Sequence, residues 1–118
     1  MISVILCAAG KGERAGFSEN KVLREMNGLP VLSYSLSAFS AVADEILVAC
    51  RAEDEARISA LLDPFPNAHT VIGGAFRTQS VYFALHEAKG DMVLVHDAAR
   101  PFVSAKIIRD CIETLRCF

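Results

Sequence analysis

The chain has 118 residues, 53% of them apolar, which is enough to bury one modest hydrophobic core. Its 12 basic and 14 acidic residues leave a formal charge of -2, which excludes a chain-wide positive field for nucleic acid or an anionic membrane. No apolar run approaches the roughly 20 residues that span a bilayer, and the opening residues lack a signal-peptide pattern. We therefore expect a cytoplasmic protein with neither nucleic-acid nor membrane partners.

Four cysteines, Cys7, Cys50, Cys111 and Cys117, are scattered along the chain and mostly lie in apolar runs. They form no CxxC pair and no dense disulfide framework. We expect buried free thiols at these positions.

Short runs rich in valine and isoleucine predict four β-strands. They cover Ile2 to Cys7, Glu45 to Cys50, Thr70 to Ile72 and Met92 to His96. Segments with helical spacing lie between and after these runs, so the chain alternates strand and helix. The apolar positions of the helical segments are Leu32, Leu36 and Phe39, then Ile58, Leu61 and Leu62, then Val81, Ala84, Leu85 and Ala88.

This alternation predicts an α/β fold: a doubly wound, Rossmann-like and mostly parallel sheet with helices on both faces. A last helix should begin after Ser104 as N-cap, but no helix stop signal precedes Phe118. We therefore expect one domain over residues 1–118, with the chain cut off within or just after this last helix.

The loop after the first predicted strand reads AAGKGERAGFSENK. Ligands of doubly wound sheets bind at the carboxyl ends of the strands, and this first loop is the usual phosphate cradle. Gly10 and Gly12 can bring backbone N–H groups close to phosphate oxygens. Arg14 and Lys21 add positive charge, which suits a triphosphate.

Two other glycine-rich loops are weaker explanations of this segment. A Walker A loop needs GxxxxGK followed by Ser or Thr, whereas Lys11 stands between the two glycines. Gly10, Gly12 and Ala15 formally match the dinucleotide fingerprint. However, that fold also needs an uninterrupted helix and an acidic residue about 20 positions on, and neither follows. A structural turn with solvated charges remains the alternative without function.

The second candidate segment, GGAFRTQSV, follows the third predicted strand. Gly73 and Gly74 would let the backbone approach a flat base. Arg77 and Ser80 lie at the start of the next helix, where Ser80 could donate to an acceptor on the base. Taken alone, a turn followed by a solvated arginine and an ordinary helix-opening serine explains this segment better.

The third segment, VLVHDAARPFVS, brings His96, Asp97 and Arg100 to the same sheet edge. A single carboxylate beside phosphates is a sensible Mg²⁺ site, because magnesium takes few carboxylate oxygens and completes its shell with phosphate and water. The structural alternative pairs Asp97 with Arg100. For His96, a packed and hydrogen-bonded role is the preferred interpretation.

In this order, the three segments resemble the 2-C-methyl-D-erythritol 4-phosphate cytidylyltransferase family, and the resemblance runs from Ser3 to about Ser104. It implies a fold of the nucleotide-diphospho-sugar transferase type. It also implies transfer of CMP from CTP to 2-C-methyl-D-erythritol 4-phosphate with release of pyrophosphate, a step of non-mevalonate isoprenoid biosynthesis. Mg²⁺ as cofactor and a homodimer of the full-length protein are implied as well.

The resemblance also assigns roles to individual residues. Arg14 and Lys21 would be catalytic, gripping the triphosphate and stabilising the transition state, and Asp97 would hold the metal. The nucleotide-binding residues would be Ala8, Ala9, Gly10, Gly12, Gly74, Ala75, Ser80, Ala98 and Arg100. Family members commonly carry an acidic residue where this chain has Ala75, so only backbone contacts carry over there.

Two other functions remain open from the sequence. Ribitol-5-phosphate cytidylyltransferase shares the fold and the nucleotide site and differs mainly in the acceptor pocket, which lies in the second half of these enzymes. By the same resemblance, residues 1–118 would be a single nucleotide-binding domain and the N-terminal half of a longer cytidylyltransferase. Without the second half, we expect weak CTP binding, no turnover from this chain alone, and an unpaired edge at the strand around Val95. A non-catalytic nucleotide-binding domain is the second alternative, although Arg14, Lys21 and Asp97 together favour an enzyme.

Overall fold

The computed structural model describes residues 1–9, 21–74, 76–100 and 104–116, without the side chains of Lys21 and Ala105. Strands and helices alternate along most of this part of the chain. The strands are β1 (Ile2–Ala8), β2 (Glu25–Met26), β3 (Leu29–Pro30), β4 (Glu45–Cys50), β5 (Ala68–Ile72) and β6 (Met92–Asp97). The helices are α1 (Val31–Ser40), α2 (Glu55–Leu61), α3 (Arg77–Glu87) and α4 (Ala105–Arg116).

The main sheet is parallel, with the strand order β5-β4-β1-β6. Ser3 of the central strand β1 lies opposite Glu45 on one side and Val93 on the other. The chain builds the sheet outward from β1 through β4 to β5 and then returns to the other side of β1 with β6. Strand order therefore reverses beside β1, and such a switch point is where doubly wound sheets bind ligands.

Both faces of the sheet are covered by helices, which confirms the predicted doubly wound fold class. Alternate residues of β1 point to opposite faces. Val4 and Leu6 belong to the larger core cluster, whereas Ile5 belongs to a smaller one. The larger cluster packs against α1, α2 and α4, and the smaller one against Ala84 of α3. All but one residue of β1 is buried, as expected for a strand covered on both faces.

A small hairpin precedes α1, in the segment where the sequence predicted no uninterrupted helix. Strands β2 and β3 pair antiparallel around Asn27 and Gly28, both of which have positive φ angles, of 53° and 84°. This is the conformation that Asn-Gly favours in two-residue hairpin turns. The hydroxyl of Tyr34 in α1 donates to the carbonyl oxygen of Met26, which fastens the hairpin to the helix.

A polar network closes the amino end of the sheet, opposite the predicted site. The carboxylate of Glu45 is 7% exposed and accepts hydrogen bonds from the Ser3 hydroxyl at 2.8 Å and the Lys89 N–H at 2.6 Å. The Gly90 N–H donates to the Ser3 hydroxyl oxygen at 2.8 Å. These bonds join β1, β4 and the turn before β6, and they satisfy groups that burial would otherwise penalise.

Several further predictions can be compared with the structure. Strand β6 forms an edge of the sheet within the described residues, and Val95 is exposed there, as predicted. The Ser104 hydroxyl caps α4 by accepting the Ile107 N–H at 3.1 Å. The prediction of buried thiols is correct for Cys50 but wrong for Cys111, which is exposed on α4. Cys7 is half-buried, and Cys117 lies outside the described residues. No described helix has the length and apolar character needed to cross a membrane.

Candidate functional site

The carboxyl ends of the parallel strands form one edge of the sheet, and backbone hydrogen bonds continue there beyond the strands. The Gly73 N–H donates to the Cys50 carbonyl oxygen at 2.7 Å, and the Ala98 N–H donates to the Cys7 carbonyl oxygen at 3.1 Å. The second and third sequence segments are therefore tied to β4 and β1 respectively. Ala98 is fully buried, so this part of the edge is rigidly packed.

The turn from β5 into α3 leaves no room for side chains at its two glycines. A Cβ on Gly73 would collide with the Ser80 hydroxyl oxygen. A Cβ on Gly74 would stand 2.5 Å from the Cβ of Gln79. Both separations are shorter than packed carbon atoms tolerate, so glycine is required here by close approach rather than by an unusual φ angle. The backbone of the turn consequently lies directly on the first turn of the helix.

Ser80 is 1% exposed, and its hydroxyl is engaged within the protein. The hydroxyl oxygen accepts the Gly74 N–H at 3.1 Å, and the hydroxyl donates to the Phe76 carbonyl oxygen at 3.3 Å. Contact between Ser80 and a base stays a prediction. The sequence analysis did not predict that the Ser80 hydroxyl holds the glycine turn against α3. A helical serine often donates to the carbonyl oxygen four residues earlier, and this pattern could have indicated the role.

Asp97 ends β6 with a fixed carboxylate. Its Oδ1 accepts the Ala99 N–H at 3.0 Å, and its carbonyl oxygen accepts the Arg100 N–H at 3.0 Å. Its Oδ2 lies 3.8 Å from Nη1 of Arg77, the first residue of α3. The structure thus joins the second and third segments through a pair of opposite charges.

The Arg77–Asp97 contact corrects the structural alternative considered for Asp97. The described ion pair of this carboxylate is with Arg77, whereas the Arg100 N–H donates to the main-chain carbonyl oxygen of Asp97. The Arg100 carbonyl oxygen instead lies 3.0 Å from Nε2 of His96, whose ring also packs on Phe39. His96 is therefore a packed and hydrogen-bonded residue, in line with the interpretation preferred for it. Arg77 was named in the second segment but given no role.

Charges from both segments act on Cys7 at the end of β1. Burial raises the pKa of the Cys7 thiol; Arg77 lowers it and Asp97 raises it again, leaving a pKa above the usual value. Cys7 is therefore a neutral thiol at physiological pH and a poor nucleophile. Cys7 pairs in register with Asp97, so the carboxylate and the guanidinium beside it lie near the end of the central strand, at the switch point.

Four of the predicted site residues, Gly10, Gly12, Arg14 and Ala75, lie outside the described residues. Lys21 begins a 3₁₀ turn, Lys21–Leu23, whose other residues Val22 and Leu23 are buried in the larger core cluster. The backbone at Lys21 is thereby anchored to the core. Ala8 is fully buried at the end of β1 and is followed directly by Ala9.

The sequence model of 2-C-methyl-D-erythritol 4-phosphate cytidylyltransferase matches residues 2–117. The chain belongs to this family.

Curated relatives in this cytidylyltransferase family align with nearly the whole chain. The 2-C-methyl-D-erythritol 4-phosphate cytidylyltransferase of Bacillus mycoides is 37% identical over 116 residues, covering 93% of this chain and 51% of that protein. A protein of Caulobacter vibrioides named bifunctional enzyme IspD/IspF is 42% identical over 111 residues, covering 90% of this chain and 29% of that protein. The chain thus spans about half the length of the first of these cytidylyltransferases.

Solved structures of cytidylyltransferases share the fold. The 4-diphosphocytidyl-2C-methyl-D-erythritol synthase of Anaerococcus prevotii superposes with a TM-score of 0.85 at 32% identity, over 98% of this chain and 51% of that one. The 2-C-methyl-D-erythritol 4-phosphate cytidylyltransferase of Thermus thermophilus gives 0.76 at 35% identity, over 97% and 49%. These similarities confirm the predicted family and the α/β fold class.

The donor groups of the described residues can be compared with the needs of a divalent cation. Among the described residues, no group of three or more His, Cys, Asp or Glu side chains converges. Asp97 offers one carboxylate, whose side chain is 36% exposed. This donor set fits Mg²⁺ only where phosphate oxygens and water supply most of the ligands, as in a nucleotide complex.

Proposed function

We propose that this chain supplies the CTP-binding part of an enzyme that transfers CMP from CTP to 2-C-methyl-D-erythritol 4-phosphate and releases pyrophosphate. This reaction belongs to non-mevalonate isoprenoid precursor biosynthesis. The observation that carries the proposal is the Arg77–Asp97 contact across the switch point. It brings two of the three sequence segments together in a chain that belongs to the cytidylyltransferase family.

The proposed chemistry needs positioned positive charge rather than a protein nucleophile. A phosphate oxygen of the acceptor attacks the α-phosphorus of CTP in line. The bond from this phosphorus to the bridging oxygen breaks, and pyrophosphate leaves with the electron pair. Negative charge grows on the phosphate oxygens in the transition state. Arg14 and Lys21 are the residues proposed to neutralise it, in line with their cationic side chains beside a glycine-rich loop.

The nucleotide would lie along the carboxyl edge of β1, β5 and β6. Gly73 and Gly74 after β5 are half-buried, so part of their backbone stays accessible to a flat base, which supports base recognition at this turn. The buried Ala98 supports a rigid wall at the switch point. The proposed nucleotide-binding residues are Ala8, Ala9, Gly10, Gly12, Gly74, Ala75, Ser80, Ala98 and Arg100.

Asp97 is the residue proposed to hold Mg²⁺ together with the phosphates. When bound, the ion would withdraw charge from phosphate oxygens and help pyrophosphate to leave. The Asp97 carboxylate itself supplies a fixed acceptor, because the Ala99 N–H holds its Oδ1 while Oδ2 stays directed toward Arg77.

The remaining parts of the proposal concern the protein as a whole. Residues 1–118 would form a single nucleotide-binding domain corresponding to the N-terminal half of a cytidylyltransferase, in line with the coverage of the relatives. We propose a cytoplasmic location and, at full length, a homodimer. Native mass spectrometry of the protein with and without CTP would test the homodimer and nucleotide binding together.

Pyrophosphate release with CTP and Mg²⁺ tests the reaction, with 2-C-methyl-D-erythritol 4-phosphate and ribitol 5-phosphate as alternative acceptors. Since one part of the relatives' length is not represented in this chain, the assay belongs in the longest form of the protein that the organism makes. Arg14→Ala and Lys21→Ala should each lower kcat by about a hundredfold, or roughly 3 kcal/mol of barrier.

The possible outcomes of this assay distinguish the proposed reaction from its two alternatives. Turnover with ribitol 5-phosphate alone would show that this compound is the acceptor. CTP binding without transfer to either acceptor would identify a non-catalytic nucleotide-binding domain. Absence of CTP binding would overturn the proposal.

A further inference from the structure

Arg77 occupies a position where helix energetics do not favour a cation. It is the first residue of α3, and no acidic residue lies in the first turn of this helix. The N-terminal end of a helix carries a partial positive charge, so a cation there is slightly destabilising. Residues that are unfavourable for local structure are commonly found at functional sites.

The side chain of Arg77 lies at the carboxyl edge of the sheet, close to the end of β6. Helix α3 follows β5 at one edge of the main sheet, whereas Asp97 ends β6 at the other. The guanidinium nevertheless lies 3.8 Å from the Asp97 carboxylate, and Asp97 pairs in register with Cys7 of the central strand. Because α3 packs on β4 and β1, Arg77 at its start meets Asp97 beside the end of β1, at the switch point.

Stability does not account for this contact. The side chain of Arg77 is 59% exposed and that of Asp97 is 36% exposed. Ion pairs of this exposure add little to folding stability, and the unfavourable helix position offsets part of that. The contact instead restricts the Asp97 carboxylate, which is already held at Oδ1 by the Ala99 N–H. With a partner at each oxygen, the carboxylate keeps one orientation.

We propose that Arg77 is a positioning residue that holds the Asp97 carboxylate in the orientation needed for nucleotide binding. It acts through Asp97 and joins the second and third segments into one site. This inference rests on the proposed function, because it assigns Arg77 a task in the same nucleotide site. It predicts that removing Arg77 weakens CTP binding while leaving folding stability nearly unchanged.

The test uses Arg77→Gln, Arg77→Lys and the matched control Arg57→Gln, which removes an exposed arginine from α2. Two quantities are measured: CTP affinity by calorimetry in the presence of Mg²⁺, and hydrogen exchange of the Ala99 amide in the nucleotide-free protein. We expect Arg77→Gln to weaken CTP binding by about tenfold and to speed Ala99 exchange several-fold, on the order expected for a lost charged contact. Arg77→Lys should recover part of both, and Arg57→Gln should change neither.

A double-mutant cycle separates positioning from direct contact with the nucleotide. If Arg77 acts through Asp97, Arg77→Gln should cost little further affinity in an Asp97→Asn background. Fully additive losses would overturn the inference, as would an Arg77→Gln protein with normal affinity and normal Ala99 exchange. If the parent protein did not bind CTP at all, the proposed function would fail. Faster Ala99 exchange in Arg77→Gln would then still support the positioning of Asp97.

Discussion

The Ser80 hydroxyl fills the space into which a Cβ on Gly73 would project. The same hydroxyl accepts the Gly74 N–H and donates to the Phe76 carbonyl oxygen. A methyl group at position 73 would therefore push the hydroxyl away from both partners. Because Ser80 is buried in the packed start of α3, it has little room to move.

We predict that Gly73→Ala lowers the free energy of unfolding by about 1–3 kcal/mol, as overpacking commonly does. CTP affinity should fall as well, because the turn shifts. Gly28→Ala is the matched control: no atom lies within 4 Å of its Cβ position, but its φ angle of 84° adds about 1 kcal/mol of strain. Urea denaturation and calorimetry would measure both quantities. Unchanged CTP affinity in Gly73→Ala would argue against a nucleotide at this turn.

Glu45 should make folding stability depend on pH on the acid side. Burial acts to raise the pKa of Glu45, but the hydrogen bonds from the Lys89 N–H and the Ser3 hydroxyl outweigh it, so the pKa lies below 4.5. A lowered folded pKa means that the contribution to stability is fully present above pH 4.5 and is lost as pH falls through the folded pKa. Glu45→Gln should therefore show a shallower loss of stability below pH 4.5.

At neutral pH, Glu45→Gln should lower the free energy of unfolding by about 1 kcal/mol, because charge-assisted hydrogen bonds become neutral ones. Glu113→Gln, on the exposed side of α4, is the control for removing one negative charge. Chemical denaturation at a series of pH values would test both statements. Parallel pH profiles for the parent protein and Glu45→Gln would contradict the first.

The cysteines should react with iodoacetamide at very different rates at pH 8. Cys111 is exposed and should react first, whereas burial raises the pKa of Cys7 and slows it. Burial raises the pKa of Cys50 from 9.0 to about 11, with Glu55 and Asp54 adding to the effect. A difference of this size lowers the thiolate fraction about a hundredfold.

Peptide mass spectrometry would follow Cys7, Cys50 and Cys111 separately, and labelling in urea should make their three rates similar. Bound CTP should slow Cys7, which lies beside Arg77 and Asp97, without affecting Cys111. Rapid labelling of Cys50 in the folded protein would contradict its burial.

The N-cap of α4 offers a prediction about stability alone. Ser104→Ala removes the acceptor of the Ile107 N–H and should cost about 1 kcal/mol, as the loss of an N-cap usually does. Ser40→Ala is the control, because its exposed hydroxyl donates to the Ser37 carbonyl oxygen at the other end of a helix. Thermal unfolding would distinguish the two. An equal effect of both substitutions would show that the cap of α4 contributes little.

The sequence was sufficient to predict the main strands, the helices and the parallel sheet, because their signals are local. Glu45 to Cys50 is continuously apolar after its first residue, as a doubly covered strand should be. The N-cap of α4 at Ser104 could likewise be predicted from the sequence. The β2–β3 hairpin was missed although Asn27 and Gly28 favour its turn. Its strands have two residues each, too few for alternation to appear.

Within the candidate site, sequence order predicted which segments share an edge but not which side chains meet. Arg100 follows Asp97 closely in the sequence, whereas Arg77 lies much earlier in the chain. Nevertheless, Arg77 is the ion-pair partner of Asp97. The direction of a long side chain depends on how α3 lies against the sheet, which no local pattern encodes. For the same reason, the sequence could not show whether the Ser80 hydroxyl bonds within the protein or contacts a ligand.

The central position of β1 has a consequence for biosynthesis. Strand β1 pairs with β4 and β6, whose residues are made later than its own. At translation rates of 5–20 residues per second, β1 waits on the order of ten seconds for its second neighbour. During this time, a mostly apolar strand with two unsatisfied edges is open to chaperones and to misassociation. Production of the protein should therefore respond to translation speed and to chaperone supply.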